Sequence, residues 1–124
     1  MGYVGIVLIS HSEKVATGIK EMIRQVLHDV PVEVAGGTDE GKIGTSIDLI
    51  SLAIERADKG NGVLLFYDLG SAKMNAEMAI ELSARDDVKL VEAPLVEGSY
   101  VAAVESSTGK KLNQIIENVR KAFS

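Results

Sequence analysis

Short runs of unbroken apolar residues alternate along the chain with longer stretches whose apolar positions recur every three or four residues. Val4-Gly5-Ile6-Val7-Leu8-Ile9 and Val63-Leu64-Leu65-Phe66-Tyr67 are apolar throughout, the pattern of strands covered on both faces. Val32-Glu33-Val34-Ala35, stopped by Gly36-Gly37, and Val88-Lys89-Leu90-Val91 read as two shorter strands. Between the first two strands, Val15, Ile19, Met22, Ile23 and Val26 trace one face of an amphipathic helix. Ile47, Ile50, Ala53, Ile54 and Ala57 trace a second, which Lys59-Gly60 is placed to close as a glycine C-cap. A third helix is expected from about Ser71 to Ala84, with Met74, Met78 and Leu82 on one stripe. A small-residue helix around Tyr100–Val104, ended by Thr108-Gly109, precedes a last one carrying Leu112, Ile115, Ile116, Val119 and Phe123.

The order β-α-β-α-β-α-β-α-α predicts an α/β fold. Parallel strands need crossover connections, and right-handed crossovers place helices on both faces of the sheet. The economical topology is a doubly wound, mainly parallel sheet with strand order 2-1-3-4. With no internal repeat, low-complexity tract or linker, residues 1–124 are expected to form a single domain. In such sheets ligands bind beyond the carboxyl ends of the strands, near the switch point between the first and third. Three loops therefore carry the question of function.

Composition removes alternatives. There is no cysteine, hence no disulfide framework, no Cys-ligated metal and no thiol nucleophile. Thirteen Lys and Arg against eighteen Asp and Glu give a net charge of −5 with no basic run, which argues against nucleic acid as a partner. No apolar run approaches the roughly 20 residues of a membrane span, and Met1-Gly2-Tyr3 lacks the basic start of a signal peptide, so no membrane association and a cytoplasmic location are expected. Aromatic residues are only 4% and Trp is absent, so the core must be aliphatic.

The loop after the first strand is Ser10-His11-Ser12-Glu13. His11 ends a buried strand and precedes a helix, where free N–H groups and the helix dipole favour an anion such as a phosphoryl group. Ser10 has capping-box spacing to Glu13, and Ser12 is the alternative cap. His28 lies near the end of the first helix, where a cation suits the dipole, and reads as structural. The loop after the third strand is Tyr67-Asp68-Leu69-Gly70-Ser71. If strand three neighbours strand one, Asp68 stands beside His11, and a carboxylate accepting one ring N–H leaves the other nitrogen free as a nucleophile. Gly70 permits close backbone approach, and Ser71 can cap the third helix while turning its hydroxyl toward a phosphate.

The loop after the second strand, Gly36-Gly37-Thr38-Asp39-Glu40-Gly41-Lys42-Ile43-Gly44-Thr45-Ser46, holds four glycines, and Thr45 has capping-box spacing to Asp48. It is neither a Walker A loop nor a dinucleotide fingerprint. Its glycines either build an irregular turn or touch substrate, and Lys42 either neutralises phosphate or solvates the loop. Two histidines without cysteine make no zinc site, so neither metal nor cofactor is expected. Met74 and Met78 read as core, with Met74 close enough to the helix start to face a partner.

Ile9-Ser10-His11-Ser12, Gly36-Gly37-Thr38-Asp39 and Tyr67-Asp68-Leu69-Gly70-Ser71 together resemble the IIA domains of the mannose-type phosphotransferase system (PTS). Among these the chain is most similar to the phosphoryl-donor subunits of dihydroxyacetone kinase, with Asp68 to Asn75 the most specific stretch and the likeness covering essentially the whole chain. The resemblance implies a phosphotransferase subunit in which His11 accepts a phosphoryl group from a carrier of the HPr type, fed by phosphoenolpyruvate. It implies onward transfer to ADP held on the nucleotide-binding subunit of the kinase. Asp68 would orient the ring, while Ser12, Gly37, Thr38, Gly70 and Ser71 would hold the phosphoryl group. Such domains are expected to form homodimers. Some relatives carry further phosphocarrier domains, and a chain ending at Ser124 would have to draw its phosphoryl group from separate proteins. Two other readings stay open at this point: a IIA component of a sugar permease, and a non-catalytic regulatory module.

Overall fold

The computed structural model describes residues 2–124. Among them lie four strands, β1 (Gly5–Ser10), β2 (Val32–Gly36), β3 (Val63–Tyr67) and β4 (Val88–Leu90), and five helices, α1 (Glu13–Arg24), α2 (Ile47–Ala57), α3 (Gly70–Ser83), α4 (Leu95–Ser107) and α5 (Leu112–Ala122). The strands form one sheet in the order β2-β1-β3-β4, parallel at every pairing. This is the expected α/β topology.

Strand alternation divides the core into two layers. Ile6 and Leu8 of β1 and Leu64 and Phe66 of β3 face α1, α4 and α5, meeting Ala16, Ile19, Ile23, Ala102, Ala103, Ile115 and Val119. Val7 and Ile9 with Val63 and Leu65 face α2 and α3, meeting Ile50, Ala53, Ile54, Ala72, Ala76 and Ala79. Both faces are therefore closed, which is why β1 and β3 tolerate no polar residue before their last positions.

Several local expectations are corrected. Val15, Met22 and Val26 of the expected α1 stripe are exposed, and Ala16, Ile19 and Ile23 are buried instead. Met74, Met78 and Leu82 are not core: they stand on the outer face of α3, while Ala72, Ala76 and Ala79 face the sheet. The two triplets start two residues apart, about 200° around a helix of 3.6 residues per turn. Of the two apolar faces, alanine is the one that lets a helix lie close to strands already filled with Ile and Leu.

Helix ends also differ. Ser12, not Ser10, caps α1, accepting a hydrogen bond from Val15 N–H at 3.3 Å. Ser46, not Thr45, caps α2 through Leu49 N–H at 3.1 Å. Asp58 rather than a glycine ends α2, and its carboxylate accepts from Gly60 N–H at 2.9 Å. The N-cap of α3 is Leu69, without a side-chain hydrogen bond, so Ser71 lies inside the first turn. At the opposite edge of the sheet, Arg85 ties the loops together by pairing with Asp58 and Asp87.

Candidate functional site

The pairing Ile9↔Tyr67 puts the ends of β1 and β3 side by side, and His11 and Asp68 follow directly. The two side chains are 20% and 21% exposed, sheltered but open to solvent on one side. Asp68 is the hub. Its Oδ1 accepts from the His11 ring at Nδ1 (3.0 Å) and from Leu69 N–H (2.7 Å). Its Oδ2 accepts from His11 N–H (2.9 Å) and from the Ser10 hydroxyl (2.8 Å). Burial opposes ionisation of this carboxyl, but the hydrogen bonds from His11, Ser10 and Leu69 outweigh it and hold the group below its ordinary value of 3.8.

A carboxylate only accepts, so Nδ1 carries the ring proton facing it and Nε2 is left with its lone pair. Nε2 lies 2.7 Å from Ser71 Oγ. The hydroxyl is therefore the donor in that contact, and it marks the nitrogen that faces solvent. The imidazole is held at one end by a charge and covered at the other by a single rotatable hydroxyl.

Ser10 was expected only as a helix cap. It is buried, donates to Asp68 and accepts from Ser12 N–H at 3.0 Å, so it locks the carboxylate to the start of α1. Two serines within capping reach of one helix were the only signal available in sequence, and that signal does not say which one points to a neighbouring strand. The N-termini of α1 and α3 both end at this cluster.

The glycine-containing loop is built inward. Gly37 sits at φ +74° and donates its N–H to Ser10 O at 3.0 Å; Gly44, at φ +141°, donates to His11 O at 2.9 Å. Thr38 folds a local turn, with its N–H on Lys42 O (2.9 Å) and its Oγ1 accepting Lys42 N–H (3.1 Å). Asn75 of α3 donates to Thr45 Oγ1 at 2.6 Å and ties the far end of the loop to the same helix that carries Ser71. The structure thus brings together His11, Asp68, Ser71 and Ser10. Ser12 and Thr38 spend their hydroxyls on local backbone, and Gly37 braces β1. Gly70 faces open space, with nothing within 4 Å of where a Cβ would stand.

Beside Asp68, the Tyr67 hydroxyl donates to Glu92 Oε2 at 2.7 Å, and Lys73 pairs with Glu92 Oε1 at 3.2 Å. The Tyr67 bond, then the Lys73 pairing, holds the Glu92 carboxyl below its ordinary range despite partial burial. This triad joins the loop after β4 to the first turn of α3. Among the described residues no helix is long and apolar enough to cross a membrane, and no cluster of three or more His, Asp and Glu side chains is placed to hold a metal ion.

Comparison with known proteins identifies the family. The EIIA-man family, described as the PTS system fructose IIA component, matches residues 5–116. The phosphoryl donor subunit DhaM of PEP-dependent dihydroxyacetone kinase 1 from Listeria innocua is 42% identical over 94% of this chain and 92% of its own length. The phosphotransferase subunit DhaM of PTS-dependent dihydroxyacetone kinase from Lactococcus lactis is 38% identical over 94% of both chains. A crystal structure of a protein of unknown function superposes with a TM-score of 0.86 at 34% identity, covering 97% of this chain and 94% of the other. The chain belongs to the EIIA-man family of PTS IIA components.

Proposed function

We propose that this chain is a phosphohistidine carrier that serves a PTS-dependent dihydroxyacetone kinase. The relatives at 42% and 38% identity are named as the phosphoryl donor subunit and the phosphotransferase subunit of such kinases. The observation that carries the chemistry is the position of His11, with Nδ1 on Asp68 and Nε2 turned outward beneath the Ser71 hydroxyl.

In the first step Nε2 attacks the phosphorus of a phosphohistidine on an HPr-type carrier protein. The donor's P–N bond breaks, the new P–Nε2 bond forms, and the donor imidazole leaves with its electron pair. Asp68 stabilises the positive charge that the His11 ring gains, and it keeps the ring from rotating. Ser71 turns its hydroxyl from Nε2 to a phosphoryl oxygen, exchanging a neutral hydrogen bond for a charge-assisted one. The uncapped first turn of α3 at Gly70 and Ser71, and the N-terminus of α1 beyond Ser12, present N–H groups to the same charge. Gly37 and Gly44 brace the loop against Ser10 and His11, and Thr38 acts by holding the turn of that loop closed on Lys42.

In the second step an oxygen of the terminal phosphate of ADP, held on the nucleotide-binding subunit of the kinase, attacks phosphorus, and His11 leaves as the neutral ring. The protein is a carrier within a transferase system rather than a complete enzyme. Its action in the cytoplasm, its operation as one domain and as a homodimer, and its independence of metal, cofactor, membrane and nucleic acid belong to the same reading.

The test is to incubate the protein with labelled phosphoenolpyruvate and the general PTS proteins. Acid-labile, base-stable phosphate should form on wild type and be absent from His11→Ala. Chasing the label with the ADP-loaded kinase subunit should yield ATP. Full labelling of His11→Ala would overturn the assignment, and transfer only to a permease IIB domain would make the protein a sugar-transport component instead.

A further inference from the structure

The apolar stripe of α3 lies in solvent. Met74, Met78 and Leu82 are 73%, 45% and 66% exposed, and Leu69 at the helix N-cap is 59% exposed. A contiguous patch of apolar surface left in water marks a protein contact surface. This stripe starts at the site. Ser71, whose hydroxyl touches His11 Nε2, stands three positions before Met74 and so shares its helix face. From Met74 to Leu82 the stripe runs for about 12 Å along the helix.

We propose that the Met74–Met78–Leu82 stripe of α3 seats the phosphohistidine protein that charges His11. This rests on the carrier reading above. A protein resting on Met74 covers Nε2, so a permanent occupant would close the nucleophile; the occupant must come and go. A lasting contact with a second copy has an alternative that leaves the site open: an apolar groove of about 360 Å³ lined by Met22, Val96, Tyr100 and Val101 lies between α1 and α4 on the other side of the sheet. Charge separates the remaining candidates. Glu77 and Glu81 are exposed alongside the stripe, and Lys73, the cation at its start, is paired with Glu92. That border attracts an apolar face rimmed with Lys or Arg and repels a surface loaded with nucleotide phosphates. Two methionines at its centre suit an interface made and broken at every turnover, because the unbranched thioether repacks without strain.

The experiment compares two donors on wild type, Met78→Glu, Leu82→Glu and Met78→Leu. One donor is an HPr-type carrier phosphorylated from phosphoenolpyruvate; the other is phosphoramidate, which needs no docking surface. The two Glu variants should raise KM for the carrier protein at least tenfold and leave the phosphoramidate rate unchanged, while Met78→Leu keeps both. Because all these positions are exposed, melting curves should coincide. An unchanged KM for the carrier overturns the proposal. So does a defect confined to onward transfer to the ADP-loaded subunit, which would make the stripe the acceptor's seat. A change in sedimenting mass overturns it as well, by showing a face between copies. Failure of the phosphorylated carrier to label wild-type His11 at any concentration would instead defeat the carrier reading itself, and the docking proposal with it.

Discussion

Asp68 grips His11 at two points, taking the ring N–H on Oδ1 and the backbone N–H on Oδ2. One carboxylate thus sets both where the residue sits and which ring nitrogen is free. Asp68→Asn separates the two effects. The amide keeps the shape, but its NH₂ can face Nδ1, which then accepts and leaves the proton on Nε2. An imidazole in that tautomer is no nucleophile at Nε2. Labelling from the phosphorylated carrier should fall by up to about 10⁴-fold, as when the partner fixing a catalytic histidine's tautomer is neutralised. Rapid-quench measurement of the phosphohistidine rate checks this, and a rate within a few-fold of wild type would remove Asp68 from the chemistry.

Ser71 presents two opposing effects on the same nitrogen. Its hydroxyl bond to Nε2 must break before attack, which costs about 1 kcal/mol for a neutral pair, whereas a bond to a phosphoryl oxygen returns about 1.5–3 kcal/mol. The second is larger. Ser71→Ala should therefore lower the equilibrium level of phosphorylated His11, by roughly 2- to 30-fold, the factor that corresponds to a net 0.5–2 kcal/mol. Titration against the phospho-carrier to equilibrium reads this directly. A raised level would mean that the hydroxyl only obstructs the nitrogen.

Topology was legible because the runs Val4–Ile9 and Val63–Tyr67 are apolar without interruption and too short for buried helices, which leaves strands closed on both faces. His11 and Asp68 were legible for a related reason: each is the first titratable group after such a strand, and adjacent parallel strands end together. The outer face of α3 was not. That helix has two apolar phases, and periodicity alone favours the larger residues, although the fully buried positions against the sheet are Ala72, Ala76 and Ala79, with Ile80 packing at their edge. Ser10 was hidden by its neighbour, since two serines within capping reach of α1 look equivalent until β3 supplies a carboxylate. The tie from Asn75 to Thr45 joins residues far apart in the chain and carries no local pattern.

Two glycines beside the site should respond in opposite ways. A Cβ on Gly36 would stand 2.6 Å from Glu13 Cα and 3.0 Å from Ser12 O, both backbone atoms that cannot swing aside. Gly36→Ala should push the start of α1 away from β2 and cost about 1–3 kcal/mol, the range for overpacking a filled site. Gly70→Ala meets nothing within 4 Å and opens a helix. It should leave stability unchanged or raise it by up to about 1 kcal/mol, while slowing transfer to His11 if the α3 backbone approaches the phosphoryl group. Urea unfolding and labelling rates on the two variants give the contrast. Equal loss of stability in both would contradict the close approach of β2 and α1.

Acid should loosen the site through Asp68. Its carboxyl is held below 3.8 in the folded protein, so folding favours the ionised form. That contribution is complete above the ordinary value and drains as pH falls through the lower, native one. Asp58, held down by Arg85, and Glu105, held down by Lys110, act in the same direction. Wild type should therefore lose stability steadily below about pH 4. In Asp68→Asn one of these titrations is gone. The variant starts lower at neutral pH and should lose less between about pH 6 and pH 3. Urea midpoints at the two pH values measure the difference, and identical losses in the two proteins would show that the clamp on His11 contributes nothing to the acid sensitivity of the fold.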